Sequence, residues 1–230
     1  MTAFLSDSLF FGAVITIAFY TLGLLMKKRF KLAVFNPILI GVICVIAVLL
    51  LTDTDYQVYK QSADTISWFL TPATVCLALP LYEKLLLLRN CWKAALIGLC
   101  AGAVTSLVCV WLMCLLFDLP HEMYATLLPK SITSAIGIGV SQELGGVPSL
   151  TVACIILSGI FGSITCESVF KLFRIHSPIA KGLAIGASSH AIGTARAIEY
   201  GPVEGAMSSL AIAVSGLLTV VGASFFAQLL

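Results

Sequence analysis

"LPKSITSAIGIGVSQELGGVPS", residues 128–149, is the stretch whose reading decides the fold. It lies within a greasy chain, yet it carries Lys130, Gln142, Glu143, a run of hydroxyls and four glycines. A helix that only has to cross lipid needs none of these, because charge at membrane depth is costly. The segment therefore points to a polar element enclosed within a membrane protein.

The rest of the chain sets that context. Its 230 residues are 60% hydrophobic and only 10% charged, and the mean hydropathy is +1.07. So few charges cannot cover a water-facing surface, so the bilayer is the expected solvent. A net charge of +2 gives no reason to expect nucleic acid as a partner. His121, His176 and His190 are too scattered for a metal site, and neither a metal nor a cofactor is expected. The eight cysteines contain no CxxC pair and mostly sit in apolar runs, where they read as small apolar side chains. The N-terminus contains Asp7 and its apolar run ends in "KKRFK", so it reads as a retained helix rather than a cleaved signal.

Apolar runs fall at about 8–26, 34–52, 66–82, 91–117, 123–142, 148–170, 178–198 and 205–229. They predict an all-α, polytopic integral membrane protein of seven to eight segments, organised as a single transmembrane domain over 1–230. By the positive-inside rule, the loop 27–31 is cytoplasmic and the N-terminus lies outside. Asp53, Asp55 and Asp64 then face out, Lys84, Arg89 and Lys93 face in, and Asp118 and Glu122 face out. Strict alternation would next put "KLFRIHSPIAK", with Lys171, Arg174 and Lys181, on the outside. The conflict disappears if 123–147 is re-entrant or broken, which lipid tolerates only where the backbone is enclosed in protein or faces water.

A second irregular segment is "KGLAIGASSHAIGTARAIEYG", 181–201. Gly182, Gly186, Ser189 and Gly193 form a small-residue stripe on one helical face. Gly98, Gly102, Thr105 and Cys109 form another, as do Gly159, Gly162 and Cys166, and all read as close helix packing. A shift of 60 residues pairs Thr71 with Ser131, Thr74 with Ser134 and Glu83 with Glu143. That weak echo suggests half-repeats over about 34–117 and 123–229, the arrangement that brackets a midplane site in transporters.

The polar residues suit a small anion. Arg196 can grip a carboxylate with two parallel hydrogen bonds, with Ser189 and Gly193 on its face and His190 and Thr194 on the next. Alternatively, it snorkels or pairs with Glu199. Lys130, Ser131, Thr133 and Ser134 would open a helix whose free N–H groups attract anions, unless Lys130 is simply interfacial. Glu83 and Glu143 are candidates for proton coupling, against a plainer reading as solvated loop carboxylates. No GxSxG, HExxH or GxxxxGK[ST] occurs, so an enzyme is not expected.

Taken together, "LPKSITSAIGIGVSQELGG" and, about 40 residues later, "ASSHAIGTARAIE" resemble the LrgB/CidB family. "FNPILIGV" and "LTPATVCLALPLYE" resemble its N-terminal half. The resemblance implies a bacterial inner-membrane protein, acting as a homo- or hetero-oligomer or with a smaller LrgA/CidA-type membrane partner. It also implies one of two roles. One is transport of small monocarboxylates of the pyruvate and glycolate class, as in the related plastidial glycolate/glycerate translocator. The other is antiholin-like modulation of murein hydrolase activity and autolysis. By motif, it carries over Lys130, Ser131, Thr133, Ser189, His190, Gly193, Thr194 and Arg196 as site residues. Ala135 stands where the family pattern has proline, so the expected break falls to Gly137 and Gly139.

Overall fold

The computed structural model describes residues 10–30, 35–69, 72, 75–76, 78–83 and 85–230. Asp7, Lys31, Thr71, Thr74 and Lys84 lie outside the described residues, and so does most of the pairing of 70–83 with 130–143. Every regular element among the described residues is helical. The chain forms two compact units, 1–76 and 77–230.

The first unit holds α1 (Phe11–Phe30), α2 (Pro37–Leu51) and α3 (Tyr56–Ser67). Asn36 starts α2 by accepting from the Ile38 N–H at 2.9 Å, and Pro37 occupies the first turn, where no N–H is needed. Asp55 starts α3 in the same way, at 2.7 Å from the Gln57 N–H. Thus much of the stretch expected as an outer loop is an amphipathic helix. Lipid offers these helices little hydrophobic drive to associate, so small residues and hydrogen bonds hold them together. The Gly12 N–H, a free first-turn donor of α1, reaches Ser62 Oγ at 2.8 Å. One turn on, Thr16 meets the Tyr59 hydroxyl at 2.8 Å.

The second unit contains α4 (Ala78–Glu83), α5 (Leu85–Leu116), α6 (His121–Leu127), α7 (Ser134–Glu143), α8 (Pro148–Leu172), α9 (Pro178–Tyr200) and α10 (Pro202–Phe226). A short 3-10 turn, Ala227–Leu229, follows. Among the described residues, four helices are long and apolar enough to cross a membrane: α1, Arg89–Leu116 of α5, α8, and α10 with its 3-10 extension. Ile97, Leu116, Leu157, Phe161, Leu217 and Phe225 are exposed on these helices, as suits a multi-pass protein dissolved in lipid.

The remaining segments of this unit fold back on themselves. The apolar run 123–142 is not one helix: α6 ends at Leu127, a turn occupies 128–133, and α7 begins at Ser134. The break therefore lies upstream of Gly137 and Gly139, which sit inside α7. The loop after α7 returns to the end of α6, where a Cβ at Gly146 would lie 2.7 Å from Thr126 N. Gly145, at φ 80°, makes the exit from α7 in a conformation that only glycine adopts easily. A hydroxyl knot fixes the base. Thr151 Oγ1 donates to Ser141 Oγ at 2.7 Å, and Thr126 Oγ1 accepts from the Val147 N–H at 2.8 Å.

α9 is a second hairpin. His190, at φ 41° and ψ −137°, separates an arm 178–189 from an arm 191–200. In a straight helix Ile185 and Gly193 would be about 12 Å apart. Here a Cβ at Gly193 would lie 3.0 Å from Ile185 O, and Ile185 and Ala197 share one core cluster with Cys166 and Phe170. The expectation of one face carrying Ser189, Gly193 and Arg196 fails at this bend.

α10 shows how the hairpins are arranged. Tyr124 donates to Phe226 O at 2.8 Å, placing the open end of the α6–α7 hairpin at the C-terminal end of α10. Gly182 packs against Glu204 and Met207, placing the open end of α9 at the N-terminal end of α10. The two hairpins enter from opposite ends of a helix about 37 Å long. Each is followed by a long helix, α8 or α10, so a broken segment followed by a span occurs twice within 121–226.

Candidate functional site

A groove of about 800 Å³ runs between α5, the turn 128–133 and the first arm of α9. Its α5 wall includes Gly98, Gly102, Thr105, Ser106 and Cys109. Among the described residues, a Cβ at Gly98 or Gly102 would meet nothing within 4 Å. The expectation that this stripe packs against a neighbouring helix is therefore corrected within the second unit: among its described residues, the stripe borders the groove. The α8 stripe does pack, with Gly159 against the His190 ring and Gly162 against Ser189 Oγ.

Lys130 and Ser131 come from the turn between α6 and α7. Lys130 Nζ donates to Ser131 Oγ at 3.1 Å and to Ser106 Oγ at 3.5 Å, and the two hydroxyls lie 3.1 Å apart. No carboxylate of the described residues lies within ion-pair distance of Lys130. An ammonium has three donors, and hydroxyls engage two of them here. A cation held by neutral groups keeps the capacity to pair with an anion. Three residues on, Thr133 precedes α7 without a capping side-chain bond, and Ser134 is the first helical residue; neither lines the groove.

The residues of "SSHAIGTAR" are differently employed. Ser188 lines the groove and lies 3.1 Å from the hydroxyl of Ser189, which is buried. His190 is buried at the hairpin tip, with Nε2 3.0 Å from Ile155 O. Thr194 Oγ1 donates to His190 O at 2.9 Å and pairs with Ser208 Oγ at 2.7 Å. These contacts, together with Gly193, build the tip, and none of Ser189, His190, Gly193 and Thr194 is among the groove-lining residues.

Arg196 lies outside the groove. It donates to Glu199 at 2.5 Å and to Glu167 at 3.4 Å, and its guanidinium sits 5.0 Å from the Tyr200 ring centre. Two carboxylates already occupy the group expected to grip a substrate. Glu83 and Glu143 are exposed at the ends of α4 and α7, away from the groove lining. Thus the structure brings together Lys130 and Ser131, adds Ser106, Thr105 and Ser188, and leaves Arg196 elsewhere. Ser106 was missed because it lies inside a long apolar run; its place beside the Gly98–Gly102 stripe was the available signal.

The model of the LrgB-like family matches residues 16–229, almost the whole chain. No solved structure matches it.

Proposed function

Because the chain belongs to the LrgB-like family, we propose that it is a membrane carrier in which Lys130 binds the carboxylate of a small monocarboxylate of the pyruvate and glycolate class. The observation that carries this reading is the Lys130 ammonium, held by Ser131 and Ser106 without a carboxylate partner among the described residues. Ser106 lies about 5 Å along the helix axis from the middle of the span Arg89–Leu116, so the cation belongs near mid-depth.

The opposed hairpins support a carrier over a passive anchor. With the loop 171–181 on the cytoplasmic side of a bacterial inner membrane, α9 enters from inside and the α6–α7 hairpin from outside. α5, α8 and α10 cross fully, and both hairpins are re-entrant. Lys171, Arg174 and Lys181 are then all cytoplasmic, which removes the topological conflict. Broken elements approaching a midplane site from both sides suit alternating access, with small movements of either hairpin opening one route at a time. In the first unit, the same rule keeps the N-terminus outside and loop 27–31 inside. No catalytic step, metal or cofactor enters this mechanism.

Uptake of labelled pyruvate or glycolate by purified protein in liposomes tests the reading. Flux equal to that of empty liposomes, or unaltered by Lys130→Ala, overturns it.

A second reading draws on the open Gly98–Gly102 face, since small residues four apart admit a close partner helix. An LrgA/CidA-type protein or a second copy seated there would suit an antiholin-like modulator of murein hydrolase activity. Cell lysis scored with and without such a partner, in wild type and in Gly98→Leu, tests it; equal lysis in every case removes it.

A further inference from the structure

We infer that the preferred substrate is a monocarboxylate bearing an apolar chain of medium length, larger than the two- and three-carbon acids that the Lys130 site itself would satisfy. This rests on the carrier reading above and deepens it.

Three observations carry the inference. First, the groove holds about 800 Å³, within the range of sites for ligands of drug size and far beyond a three-carbon acid. Second, Lys130 is the only charged side chain among its described lining residues, so the site offers one anionic position and nothing for a second carboxylate. Third, the groove is apolar beyond the cation. Ser106 lies at the cation; Gly102, Leu99, Gly98, Ala95 and Ala94 follow along α5 over about 18 Å, before Cys91 and Ser177 bound the far end. Leu183, Ala184 and Ala187 of α9 complete the apolar wall. The carboxylate would lie at Lys130, Ser131 and Ser106, and the chain would extend between Gly102 and the α9 wall.

The test uses 2-oxo acids of increasing side-chain length, which stay ionised at neutral pH and do not leak through lipid as neutral acids. They are scored as competitors of labelled pyruvate uptake in proteoliposomes, and by thermal stabilisation of the protein in nanodiscs. Affinity should rise about two- to fourfold per added methylene, the lower figure applying where water still touches half of the chain. A dicarboxylate of equal length should bind more weakly than the monocarboxylate. Gly102→Leu projects a side chain into the groove from a position where a Cβ meets nothing within 4 Å among the described residues. It should flatten the slope of affinity against length. Ala184→Leu, on the facing wall, serves the same end if the first variant does not fold.

A flat series in wild type, with pyruvate still bound and transported, overturns the inference and leaves the carrier reading standing; lipid or a partner helix then covers the apolar wall. Neither binding nor flux for acids of any length overturns both.

Discussion

His190 and Gly159 interlock: a Cβ on Gly159 would lie 2.7 Å from His190 Cε1, and the same ring holds Ile155 O at 3.0 Å from Nε2. This contact pins the tip of the α9 hairpin to the middle of α8. The backbone of His190 lies at positive φ, which costs about 1–3 kcal/mol in a residue with a side chain. The ring and its bond must offset that strain, which explains why histidine can occupy a position suited to glycine.

Gly159→Ala should displace the ring and destabilise the protein by about 1–3 kcal/mol, read as a fall in thermal midpoint in detergent. His190→Gly removes both the ring and the backbone strain. On that background, Gly159→Ala should cost little. Additive losses in the double variant would show that the two residues are uncoupled.

Lys130→Ala should weaken carboxylate binding by about 10- to 100-fold, since a charge-assisted hydrogen bond contributes about 1.5–3 kcal/mol. Ser106→Ala removes a neutral partner and should cost less, within about tenfold. Concentration dependence of uptake in liposomes checks both. A Ser106→Ala loss equal to that of Lys130→Ala would mean that the hydroxyl, not the cation, sets affinity.

Arg196→Ala should leave the KM for a small monocarboxylate within about twofold. Its partners Glu167 and Glu199 are 43% and 46% exposed, so the lost pairing should cost at most about 1 kcal/mol of stability. A rise in KM matching that of Lys130→Ala would place Arg196 in the site after all.

Thr151→Val should destabilise by about 1–3 kcal/mol despite its near-equal volume, because Ser141 and Thr126 lose a buried hydroxyl partner at the base of the first hairpin. Thermal unfolding of the purified protein measures it. Uptake by the folded fraction should persist, because the knot lies outside the groove lining.

The sequence by itself determined the solvent, the helical class and the place of the irregularity. Ten per cent charge and long apolar runs leave only lipid as a solvent, and in lipid the backbone must satisfy itself within helices. The charge conflict around Lys171, Arg174 and Lys181 marked 123–147 as a segment that could not cross simply, and the two motifs marked the family. These are legible because hydropathy and loop charge are summed over local windows. The tertiary structure alone decided what the small and polar residues do. Gly98 and Gly159 look alike in the chain, yet one borders the groove and the other receives an imidazole. Lys130 and Arg196 are both cations in polar motifs, yet only Arg196 has carboxylate partners among the described residues: Glu199, which the sequence offered three residues on, and Glu167, 29 residues away, which only the fold supplies. Whether a stripe packs or opens, and whether a charge is free or paired, depends on which segments fold back beside it. That was settled by the bend at His190 and the turn at 128–133, whose geometry no local pattern encodes.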